Sequence, residues 1–139
     1  MLEMKEKAIA LLQQGYTCAF LKEGTVLTSK QRGVAPLLEW LNSGEDCRYC
    51  VAADKVVGKA AAYLYVLLGV RCVHATVISR GAEEVFQRFS LPYSYEERAE
   101  AIRNRKGDGL CPMEQAVWET NEPQEAYERI IQKRKELQG

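Results

Sequence analysis

The stretch YCVAADKVVGKAAAYLYVLLGVRCVHATVI, residues 49–78, decides the fold. It opens on Tyr49-Cys50-Val51-Ala52-Ala53, a short apolar run without polar alternation, the pattern of a strand buried on both faces. Asp54 follows where a helix cap is wanted. The alanine-rich run after it is apolar nearly all round from Val56 to Leu67 and closes at Gly69, which predicts a helix through Leu68 packed on more than one side. A second buried strand over residues 72–78 completes a strand–helix–strand unit. Such a unit has a right-handed crossover and parallel strands.

Working outward, residues 3–14 place Met4, Ala8, Leu11 and Leu12 at helical spacing before Gly15. Two β-prone runs, residues 17–21 and 25–28, flank Lys22-Glu23-Gly24 and predict a hairpin. Pro36 opens a helix through Trp40 and Leu41. Downstream, the pattern predicts an amphipathic helix over residues 82–89, a short strand over 91–95, and a charged helix over 96–105. After the turn at residues 106–109, another helix begins at Cys111-Pro112-Met113-Glu114. Pro123 starts a last, charged helix in a tail from about residue 119, with a solvated end. The expected fold class is α/β: a three-layer domain whose mixed sheet has an antiparallel N-terminal hairpin and parallel remaining strands, with helices on both faces. The length of 139 residues suits one domain.

Composition narrows the function classes. Lys and Arg together number 19, equal to Asp and Glu, so no global positive excess draws the chain to nucleic acid. The longest apolar stretch, residues 60–70, is about half of the roughly 20 residues that a membrane-spanning helix needs. The opening residues lack the apolar core of a signal peptide, and five cysteines form an odd set, so free thiols in a cytoplasmic setting are expected. No cofactor is called for. Cys47 and Cys50 have C-x-x-C spacing without a second pair, and the single histidine, His74, falls inside a predicted strand as a packed residue. No metal site is therefore expected.

Three segments fall where strands or loops run into helices, the usual place for ligands in open α/β sheets. Ser29-Lys30-Gln31-Arg32-Gly33 brings a hydroxyl, a guanidinium and unhindered amides ahead of a helix and suits an anion. In Asp54-Lys55-Val56-Val57-Gly58-Lys59, the two lysines are expected one helical turn apart near a positive helix end, an arrangement that calls for an anionic partner. Gly58 inside that helix calls for close approach of a backbone or ligand. Gly107-Asp108-Gly109-Leu110-Cys111-Pro112-Met113-Glu114-Gln115 delivers a cysteine to a helix start, where the positive end favours a thiolate, and Glu114 is a base or a cap partner on the same turn. The three segments are expected to meet in one concave site.

The same segments, Ser29 through Leu37, Ala53 through Ala61 and Cys111 through Gln115, resemble a bacterial family, domain-of-unknown-function family 1893, with the match running to Val117. The resemblance implies a cytidine-deaminase-like fold. In zinc deaminases H-x-E opens the helix after the hairpin and P-C-x-x-C opens the helix after the third strand. Here those places hold Gly33-Val34-Ala35-Pro36 and Asp54-Lys55-Val56-Val57, so the metal ligands and the proton-shuttling glutamate are missing.

Three readings stand at this point. The first is a non-zinc site for a small anionic or nucleotide-like ligand, built from Ser29, Arg32, Gly33, Asp54, Lys55 and Lys59 with Cys111 and Glu114 at its rim. The second is an enzyme using Cys111 or Lys55 in nucleophilic or acid–base chemistry, with Asp54 and Glu114 also among its catalytic residues. The third is a non-catalytic interaction module, for which a homodimer through an exposed apolar patch would be the sign.

Overall fold

The computed structural model describes residues 2–104, 106, 107 and 109–138. In chain order its elements are α1 (Leu2–Gln13), β1 (Cys18–Lys22), β2 (Thr25–Ser29), α2 (Ala35–Ser43), β3 (Val51–Val57), α3 (Lys59–Leu68), β4 (Cys72–Ser79), α4 (Arg80–Arg88), β5 (Tyr93–Ala99), α5 (Pro112–Val117) and α6 (Pro123–Gln138). The strands form one open mixed sheet in the order β2-β1-β3-β4-β5. The hairpin is present, with Leu21 opposite Val26, and β3, β4 and β5 run parallel to one another. β1 joins the two parts by running antiparallel to β3, Cys18 opposite Asp54.

Alternation along the central strands sorts side chains to two faces. On one face Ala19, Leu21 and Ala53 pack with Ala8 and Leu12 of α1. On the other, Cys18, Phe20, Ala52, Val73 and Ala75 join residues of α2, α3 and α4 in the larger core. The all-round apolar helix is α3, with Ala60 through Tyr65 all buried. It packs against α2, α4, α5 and α6, which explains why no polar face was left on it.

Two boundaries differ from the expectation. β3 does not stop at Ala53; it runs on to Val57, and α3 starts only at Lys59 with Gly58 as its N-cap. Asp54 is therefore a strand residue and not a helix cap, Lys55 lies on the strand, and Lys55 and Lys59 do not share a helical face. The reason is pairing: Val56 and Val57, β-branched, continue the ladder opposite Val77 and Ile78, and several ladder bonds outweigh one local cap. Likewise β5 extends to Ala99 opposite Ser79, so residues 96–99 are strand where a helix was expected. Beyond them the chain is irregular, with a bridge between Arg103 and Leu110, while Arg105 and Asp108 lie outside the described residues. No helix among the described residues is long and apolar enough to cross a membrane.

Candidate functional site

The antiparallel seam between β1 and β3 builds a cleft. β1 begins beside the middle of β3, so Thr17, just before β1, accepts a hydrogen bond from the Lys55 amide through its carbonyl at 3.1 Å. The Thr17 hydroxyl in turn donates to the Ser29 carbonyl, drawing the end of β2 and the loop after it to the same place. Gly33, in the left-handed region at φ +61°, turns the chain into α2. The result is a cavity of about 360 Å³ lined by Thr17, Arg32, Gly33, Asp54, Lys55 and Val56.

Asp54 is the chemically distinctive group in this lining. Its side chain points to the larger core, is 5% exposed, and accepts a 2.7 Å hydrogen bond from the Tyr65 hydroxyl on α3. The Val56 amide is a longer donor at 3.4 Å, and the Tyr65 oxygen lies 3.4 Å from Cys18 Sγ. Burial pushes the Asp54 carboxyl up from 3.8 to about 7, against the pull of these hydrogen bonds. The same burial, with the Asp54 charge beside them, raises both the Tyr65 phenol and the Cys18 thiol. A carboxyl poised near neutrality thus opens on a cleft whose rim carries Arg32 and Lys55. Among the described residues neither cation has a carboxylate partner within ion-pair distance.

The remaining expected residues go elsewhere. Ser29 accepts from the Gln31 amide and lines a neighbouring cavity with Thr28, Lys30, Gln31, Glu39 and Trp40. Lys59 and Glu114 meet at the N-terminus of α3. There the Glu114 carboxylate accepts from the amides of Lys59 and Ala60, at 2.7 and 2.8 Å, and so satisfies two orphan donors of the helix. Burial holds the Glu114 carboxyl above its ordinary value. Gly58 explains itself here: a Cβ at that position would lie 2.5 Å from Glu114 Oε1, so no side chain fits. The close approach expected of Gly58 exists, but at a cap, and the visitor is the protein's own carboxylate. The Lys59 ammonium donates to the Trp118 carbonyl at 2.7 Å, and burial lowers it. Cys111 is the N-cap residue of α5, half-buried, and the lining of the Asp54 cleft includes no residue of the third segment. The three segments therefore do not meet in one cavity.

Thr17 and Tyr65 belong to the cleft or its floor without having been singled out by sequence. One signal for Tyr65 was present: a phenol in a helix with no polar face must find a buried acceptor. Tyr63 obeys the same rule, donating to the Thr120 carbonyl at 2.7 Å.

A zinc ion does not fit this arrangement. Gly33, Val34 and Ala35 at the start of α2, and Gly58 at the start of α3, offer no ligand. The first amides of α3 are engaged by Glu114, and no three His, Cys, Asp or Glu side chains are grouped as a ligand set among the described residues.

None of the curated proteins matches the chain. A DUF1893 family protein (TM1506) from Thermotoga maritima, known from a crystal structure, superposes with a TM-score of 0.86 at 25% identity, over 94% of this chain and 90% of that one. The family model described as "TM1506: Domain of unknown function (DUF1893)" matches residues 7–134. On a match of that extent, the chain belongs to the DUF1893 family.

Proposed function

We propose that the protein binds a small anionic or nucleotide-like ligand in the cleft between β1, β3 and the start of α2, on a three-layer scaffold of the cytidine-deaminase-like type used without zinc. The scaffold reading is supported by the strand order and by α1 facing α2, α3 and α4 across the sheet. The observation that carries the binding reading is one cleft lined by the buried Asp54 carboxyl together with Arg32 and Lys55, neither of which has a carboxylate partner among the described residues. A ligand's anionic group meets the Arg32 fork and the Lys55 ammonium, while an N–H of the ligand meets Asp54. Lys59 and Glu114 serve each other and α3, and lie outside this set. A cytoplasmic setting agrees with five free cysteines. A second reading, acid–base chemistry by Asp54 on the bound ligand, is favoured by its carboxyl being raised to about 7.

A thermal-shift screen of inorganic phosphate, nucleoside monophosphates and dicarboxylates tests the proposal. A ligand at 100 times its Kd stabilises by about 2.7 kcal/mol, a rise in Tm of several degrees. Arg32→Ala and Lys55→Ala should remove that shift and leave the free protein within about 0.5 kcal/mol, because both side chains are exposed. No shift with any of these ligands, or an undiminished shift in both variants, would overturn the reading.

A further inference from the structure

A second group of reactive side chains lies on the opposite face of the sheet. His74, the chain's single histidine, pairs in register with Ala53 on β3 and with Ser94 on β5. Ala53 packs under α1, so His74 and Ser94 face the α1 side. His74 is buried; its Nδ1 lies 2.7 Å from Ser94 Oγ and its Nε2 3.2 Å from Glu96 Oε2. The proton positions follow from the partners. When the ring is neutral, the Glu96 carboxylate, which only accepts, places the ring proton on Nε2. Nδ1 is then a lone pair aimed at Ser94, and the hydroxyl is the donor. A hydroxyl bonded to a neutral imidazole that a carboxylate orients is the arrangement that activates a serine nucleophile.

Access is provided as well. His74 and Ser94 line a cavity of about 270 Å³ with Lys5, Cys72, Val73, Pro92 and Tyr93. The cavity is small, and Lys5 in its lining brings a cation to oppose an oxyanion.

We propose that Ser94, His74 and Glu96 form a nucleophile, base and orienting carboxylate that hydrolyse small acyl oxyesters in this cavity, a site separate from the Asp54 cleft. Ser94 Oγ bonds to the ester carbonyl carbon as its proton passes to His74 Nδ1. The bond to the alcohol oxygen breaks, and that oxygen takes the proton from His74. Water then repeats the sequence at the acyl-serine, releasing the carboxylic acid and restoring the hydroxyl.

The probe is 4-nitrophenyl acetate on the full chain, followed by peptide mass spectrometry. The expected result is a burst of about one nitrophenolate per chain with acetyl on Ser94, as a covalent intermediate requires. Ser94→Ala should abolish the burst. His74→Gln should slow acylation by about 100-fold or more, the range of general-base catalysis. Should His74→Gln fail to fold, Ser94→Ala decides, since it removes only one half-buried hydroxyl oxygen. An undiminished burst in Ser94→Ala, or acetyl confined to Cys72 or to lysines, would overturn the assignment.

Discussion

Asp54 couples the candidate cleft to the stability of the whole chain. Its carboxyl is raised in the folded state, to about 7 from an ordinary 3.8, so the folded protein holds a proton there that the unfolded chain has lost. The stability linked to this group is fully present below about pH 4 and is lost as pH rises through about 7; the size is on the order of 4 kcal/mol. Asp54→Asn keeps an acceptor for Tyr65 and removes the titration. Urea unfolding from pH 4 to pH 8 should therefore show the variant gaining on the wild type as pH rises, and a constant difference would contradict the burial argument. Gly58 governs a different atom set. In Gly58→Ala the new Cβ must displace the Glu114 carboxylate and free two helix amides, a loss of about 2–3 kcal/mol by unsatisfied donors and overpacking together. A urea midpoint unchanged by this substitution would mean that Glu114 has another resting place.

At the scale of elements, the C-terminal helices act as a clamp on α3 rather than as a free tail. Glu114 caps α3 from α5, Tyr63 and Lys59 of α3 bond to carbonyls after and at the end of α5, and Arg88 of α4 donates to the Asn121 carbonyl. α6 supplies the apolar part: Ala126 and Ile130 are fully buried, one helical turn apart, while its end stays partly or fully exposed. Ile130→Ala should cost about 2–4 kcal/mol through lost burial and the cavity left behind. Hydrogen exchange should show α6 and α5 losing protection before β3 and β4, and equal loss throughout would show that the clamp is no separate unit. The element boundary at Asp54 has a comparable cause. Asp, Val and Gly at residues 54–58 carry a cap signal and a strand signal at once, and the neighbouring strand selects between them.

For the molecule as a whole, the sequence by itself determined the α/β class, the hairpin, the parallel β3-α3-β4 unit and the multiply packed α3. These features rest on hydrophobic spacing and turn residues, which are local and legible. The sequence also placed Arg32, Gly33, Asp54 and Lys55 near helix-proximal turns, and those four line one cleft. Tertiary structure decided the rest. The ends of β3 and β5 were set by ladder partners more than 15 residues away, Val77 and Ile78 for one and Ile78 and Ser79 for the other. Glu114 reached Lys59 across 55 residues, and of its two expected roles, base or cap partner, it takes the cap, at α3 and outside the Asp54 cleft. Tyr65 became the partner of a buried carboxyl, and Ser94 and Glu96 met His74 only because two parallel strands fell into register. Charge, burial and proton position depend on neighbours distant in the chain, and no local pattern of residues encodes which neighbours those are.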